Sequence, residues 1–194
     1  FRRMGDAIIS DAGPLAGKTL THFYSVSWEG AVPTWTGGFE EAFQKYRGYA
    51  IRPWLPVLAG FVVRGEENSE RFVGDYRRAR NDCFRDNFYG KMMALCHERG
   101  LRWHAESGGP WVRKPEVFGE ADQLAFLART DMPQGEFWFT GKADRSGRQL
   151  SRAQAMTAHV YGKRLAAAEA FTHMQRHWTP YPAILKRAGD ESFV

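Results

Sequence analysis

Short apolar runs alternate with helix-like stretches along this chain, and that rhythm predicts parallel β/α units. Thr19 to Ser25 is rich in β-branched and aromatic residues and reads as a strand. Leu101 to Ala105 is the next, and Phe137 to Thr140 a short third. Leu165 to Phe171 has high helix propensity, yet the rhythm makes it a fourth strand, with Glu169 near its end. Phe1 to Asp11 reads as the end of a helix closed by Gly13-Pro14, and Phe39 to Tyr46 as a helix stopped by Gly48. Pro53 and Pro56 leave residues 49 to 65 at most one helical turn.

Asn68-Ser69 is placed to cap a long helix reaching about Arg99. Phe72, Tyr76, Ala79, Cys83, Phe84, Phe88, Met92, Leu95 and Cys96 follow the spacing of one buried face, and Gly100 ends the helix. Residues 107 to 120 read as a loop, and 122 to 130 fit either element. Ser151 to Gly162 and Pro180 to Phe193 read as helices. Four strands are half of what a closed (β/α)8 barrel needs, and such barrels typically take about 250 residues. The expected fold is therefore α/β, a partial (β/α)8 TIM barrel. Residues 1–194 would form an internal segment of a single catalytic domain, and the rest of the parent chain would complete the barrel.

Net charge is +5, spread as single residues apart from Arg77-Arg78-Ala79-Arg80. Those arginines lie among Asp75, Asp82 and Asp86, which predicts a solvated, ion-paired helix face and no nucleic-acid partner. No apolar run approaches the ~18 residues of a membrane span. The opening residues carry charges and no signal-peptide core, and an opening without Met suggests an internal fragment. Cys83 and Cys96 fall in one predicted helix, about 20 Å apart at ~1.5 Å per residue, so they read as separate buried thiols.

Three glutamates stand apart from solvated helix-surface glutamates: Glu29 in Ser-Trp-Glu-Gly, Glu106 in Trp-His-Ala-Glu-Ser-Gly-Gly, and Glu136 in Gly-Glu-Phe-Trp. Each follows a short apolar run. Glu29 and Glu106 fall at or just past the C-terminal ends of predicted strands, where barrel enzymes place catalytic groups, and Glu136 stands beside the predicted third strand. Paired carboxylates among aromatic rings suit glycosidic-bond hydrolysis, with one acid for the leaving oxygen and one base for water. Trp28, Trp35, Trp111 and Trp138 are candidates for stacking on sugar faces, Trp35 and Trp111 foremost because they fall in predicted loops. His104 lies two residues before Glu106 and shares its strand face. Glu169 is a weaker candidate, with a structural role favoured.

The same stretches carry a family resemblance. Gly-Pro-Leu-Ala-Gly-Lys-Thr-Leu (13–20), Ser-Trp-Glu (27–29), Glu-Arg-Phe-Val-Gly-Asp-Tyr-Arg (70–77), Ala-Glu-Ser-Gly-Gly (105–109), Pro-Gln-Gly-Glu-Phe-Trp (133–138) and His-Val-Tyr-Gly-Lys (159–163) belong to it. With them the chain resembles the catalytic core of bacterial α-L-rhamnosidases of glycoside hydrolase family 106. The resemblance implies an inverting, calcium-dependent hydrolase that releases terminal α-L-rhamnose, in a periplasmic or secreted bacterial protein. It implies Glu29 as the acid and leaves Glu106 and Glu136 to share the base and the binding of calcium or sugar. Val26 stands where the family pattern has an aspartate, and Thr34 where it has an asparagine. Two other readings stay open: a retaining β-glycosidase or glucuronidase barrel, and a sugar-binding segment without turnover.

Overall fold

The computed structural model describes residues 1, 3–26, 34–106, 123–138, 152–172 and 178–192. Four parallel strands, β1 (His22–Ser25), β2 (Arg102–Glu106), β3 (Met132–Trp138) and β4 (Ala167–Thr172), lie side by side in sequence order. Sequential order with helical crossovers is the wall of a (β/α)8 barrel, and the described residues supply four staves of it. Around them run α1 (Gly5–Ala12), α2 (Phe39–Arg47), α3 (Leu55–Leu58), α4 (Glu66–Phe84), α5 (Lys91–His97), α6 (Gln123–Leu127), α7 (Arg152–Val160) and α8 (Pro182–Ser192).

Alternation sorts the strands into two faces. Trp103 and Ala105 of β2 and Pro133, Gly135 and Phe137 of β3 are buried on the outer face, where Trp103 and Ala105 pack with Tyr89, Cys96 and Phe126. The register pairs Tyr24 with His104 and Glu106 with Gln134, so the opposite face carries polar side chains. In a closed barrel that face lines the interior.

The boundaries move in instructive ways. β3 begins five residues before the predicted strand, through Pro133 and Gly135, which depress strand propensity but are fully enclosed here. β4 is a strand despite its alanines, because pairing with β3 overrides helix propensity. Glu66 rather than Asn68 opens the long helix: Gly65 (φ 97°) turns the chain at its N-cap. Ser69 instead accepts the Val63 N–H at 2.9 Å from inside the first turn.

The long helix serves two clusters. Phe72, Tyr76 and Ala79 pack against Phe39, Phe43 and Ile51, whereas Tyr89 and Cys96 pack against β2. Between the clusters, a π-helical turn spans Arg85–Gly90. The arginine run is less solvated than its charge pattern predicts. Arg80 is 4% exposed, and this burial lowers its pKa through desolvation; it lies 5.6 Å from the Tyr76 ring centroid. Arg78 keeps a long pair with Asp75 (3.7 Å), while Asp82 and Asp86 are taken by Arg85. Both cysteines are free thiols, Cys96 buried and Cys83 partly so. Among the described residues no helix is long and apolar enough to cross a membrane.

Candidate functional site

β2, β3 and β4 each place a glutamate on the polar face, at the C-terminal end of β2, near that of β3 and midway along β4. Glu106 is the last residue of β2 and sits beside Gln134; Glu136 lies two residues further along β3 and sits beside Glu169. With strands about 4.8 Å apart and ~3.3 Å of rise per residue, the Glu106 and Glu136 backbones are about 8 Å apart, and those of Glu136 and Glu169 about 5 Å. Glu106 (5% exposed) and Glu136 (6%) are buried, while Glu169 is open.

Glu106 is held by a closed ring of donors. The Tyr24 hydroxyl donates to its Oε1 at 2.8 Å, and the Gln134 amide donates both to that oxygen and to the Tyr24 hydroxyl, the latter at 2.8 Å. From the other side of the sheet, the Tyr89 hydroxyl donates to the Glu106 backbone carbonyl at 3.0 Å. Burial, reinforced by the Glu106 carboxylate, raises the Tyr24 pKa well above the ordinary phenol value. The phenol therefore stays protonated, and remains a donor, across physiological pH.

His104 stacks obliquely on Tyr24, with ring centroids 4.6 Å apart. Burial lowers its pKa, helped by His22 and opposed by Gln134 and Glu106, so the ring is neutral at pH 7. Its Nε2 is buried and has no hydrogen-bond partner among the described residues. The Trp138 indole N–H donates to Glu136 Oε2, so Trp138 fixes that carboxylate as well as offering a partly exposed ring.

β4 ends in a bulge. Phe137 pairs with Ala170 and Trp138 with Thr172, which leaves Phe171 as the extra residue, at φ 64°. Its ring packs edge-on against Phe137 at 4.9 Å. Without the extra residue, Glu169 and Thr172 would face opposite sides; with it they share one, and Thr172 Oγ1 donates to Glu169 Oε1 at 2.5 Å.

Trp35 is 45% exposed and packs edge-on against Phe39 at 5.1 Å, leaving one side of the indole open. Thr34 contributes its carbonyl, which accepts the Tyr76 hydroxyl at 2.5 Å, and Val26 is exposed just beyond β1. Trp28, Glu29 and Trp111 lie outside the described residues. Reading the sequence alone missed Tyr24, Gln134, Tyr89 and Thr172. Gln134 had a signal, since it precedes Glu136 by two, but only once β3 is known to reach back to Met132.

The motifs and the barrel wall agree with comparison to known proteins. A family model described as alpha-L-rhamnosidase, glycoside hydrolase family 106, matches residues 2–194. The chain belongs to glycoside hydrolase family 106. It is 32% identical over 187 residues to a Formosa agariphila protein provisionally named a beta-glucuronidase, covering 96% of this chain and 15% of that protein. The solved structure of a rhamnosidase from Novosphingobium sp. PP1Y superposes with a TM-score of 0.85 at 31% identity. That match covers 99% of this chain and 18% of the other. The chain thus spans less than a fifth of the length of either relative.

The family resemblance implies calcium, but no group of three His, Cys, Asp or Glu side chains that could hold a metal ion occurs among the described residues. Glu106, the least exposed carboxylate residue described at 5%, already accepts two donors on Oε1. The described residues therefore do not fit a calcium centre.

Proposed function

We propose that this chain is a segment of a single (β/α)8 catalytic domain that hydrolyses terminal α-L-rhamnosides with inversion. The observation that carries the reading is the row of glutamates on one face of the parallel sheet, with Glu106 and Glu136 toward the C-termini of β2 and β3. In this scheme the Glu29 carboxylic acid protonates the glycosidic oxygen as the C1–O bond breaks. Glu136 takes a proton from the water that attacks C1 from the opposite face, so the products are β-L-rhamnose and the free alcohol. Glu136 is assigned the base role because the Trp138 indole N–H orients its carboxylate, whereas both lone pairs of Glu106 Oε1 are occupied. Glu106 then serves as a fixed acceptor for sugar hydroxyls, beside the neutral His104. Trp35 and Trp111 would stack on the sugar's apolar face, and Trp28 and Trp138 would line it. Calcium enters none of these steps; dialysis of the full-length protein against a chelator tests the requirement that the resemblance implies.

One observation favours a second reading. Glu136 and Glu169 are register neighbours, with backbones about 5 Å apart, near the carboxyl separation of a retaining pair. One experiment decides between them: proton NMR of the full-length protein acting on an aryl α-L-rhamnoside. β-L-Rhamnose appearing first supports inversion, and α-L-rhamnose appearing first supports retention. Replacing Glu29→Gln should suppress turnover of an unactivated glycoside far more than that of an aryl glycoside. Wild-type turnover of the unactivated substrate by that variant would rule out Glu29 as the acid.

A further inference from the structure

The π-helical turn at Arg85–Gly90 interrupts an otherwise regular helix, and such turns are often found at functional sites. In an uninterrupted α-helix Phe88 would follow Phe84 on the buried side, and Tyr89 would point about a quarter-turn away. The wider turn brings both onto that side: the Phe84 ring lies 5.5 Å from Phe88 and 6.2 Å from Tyr89. Gly90 closes the turn where a Cβ would come within 3.2 Å of the Arg85 carbonyl oxygen, so a small residue fits there.

Tyr89 is 1% exposed, and its ring stacks on Phe126 with centroids 5.2 Å apart and planes 13° from parallel. Its hydroxyl reaches through the apolar layer to the Glu106 carbonyl, at the point where β2 ends. Tyr24 and Gln134 grip the Glu106 side chain from the inner face, so the residue is held from both sides of the sheet.

We infer that Tyr89, delivered by the π-turn, is a positioning residue that fixes Glu106 from behind. The inference rests on the proposed role of Glu106 in binding the sugar. The test compares wild-type full-length protein with Tyr89→Phe, which keeps the ring and removes the hydroxyl. Phe126→Leu is the control, since it removes the stack and keeps the hydroxyl. Turnover of an aryl α-L-rhamnoside, thermal midpoint and amide hydrogen exchange of peptides spanning β2 are measured for each.

In Tyr89→Phe, kcat should fall about tenfold, the equivalent of ~1.4 kcal/mol. KM should stay within about twofold, because hydrogen bonds to sugar hydroxyls that strengthen in the transition state act on kcat. Exchange should quicken only at the end of β2, because the hydroxyl contact is lost and packing is kept. Phe126→Leu should lower the thermal midpoint and keep kcat. Unchanged kcat in Tyr89→Phe, an equal loss in Phe126→Leu, or unchanged exchange at the end of β2 overturns the inference. If the wild-type protein turns over no rhamnoside, the functional reading fails separately. Exchange then decides the clamp alone: faster exchange confined to the end of β2 upholds it, and unchanged exchange ends it.

Discussion

Gln134 offers the sharpest test of the inner-face network, because its side chain donates to both the Glu106 carboxylate and the Tyr24 hydroxyl. Gln134 is 6% exposed and Glu106 5%, so water cannot simply replace the lost amide. In Gln134→Leu the volume is nearly kept, and the carboxylate loses one donor while the Tyr24 hydroxyl remains. A hydrogen bond to a charged group contributes about 1.5–3 kcal/mol. At ~1.4 kcal/mol per factor of ten, loss of one such bond corresponds to about a 10- to 100-fold fall in kcat/KM. The lower end is expected, since Tyr24 still holds the same oxygen.

A companion variant, Gln134→Glu, puts a second carboxyl against Glu106, and two close carboxylates share a proton instead of both ionising. At low pH the introduced carboxyl is protonated and can donate as the amide did. At higher pH it loses that proton and repels Glu106. Activity relative to wild type should therefore be best near pH 5 and fall as pH rises. Full-length protein assayed on an aryl α-L-rhamnoside from pH 4.5 to 8.5 reads both effects. Wild-type kcat/KM in Gln134→Leu, or the opposite pH trend in Gln134→Glu, would refute the claim that the amide sets the Glu106 pose.

Thr172→Val removes the hydroxyl that holds Glu169 and should raise KM several-fold with little change in thermal midpoint, because Glu169 is open to solvent; an unchanged KM would place Glu169 outside the site. Burial pushes the Cys96 thiol up to about 11, and burial raises Cys83 as well. The fold thus favours the neutral thiols, a contribution present below the ordinary thiol pKa and lost as pH climbs toward the raised values. Iodoacetamide at pH 8 should label Cys96 at least about a hundredfold more slowly in native than in urea-unfolded protein, because only the thiolate reacts. Mass spectrometry showing equal rates would contradict that burial.

Much of the wall was legible in local sequence. Strands and crossovers betray themselves through apolar period and turn residues, so β2, the long helix and the Gly48 and Gly100 stops follow from pattern alone. β4 was legible only through rhythm, because Leu-Ala-Ala-Ala-Glu-Ala-Phe prefers helix until β3 offers it a partner. Glu106 and Glu136 stood out in sequence as carboxylates among aromatic and glycine residues.

Their company did not stand out. Tyr24 meets Glu106 across 82 positions, and Gln134 meets Tyr24 across 110, so only strand register could join them. Tyr89 reaches Glu106 because a π-turn breaks the helical period from which sequence reasoning works. Thr172 joins Glu169 because a bulge breaks the strand period in the same way. The sequence by itself determined most of the strands and helices, with β4 and residues 122 to 130 as exceptions, and which carboxylates are unusual, since those depend on local period and composition. The tertiary structure alone decided which donors hold those carboxylates, because register, π-turn and bulge are set by pairing and packing between segments distant in the chain.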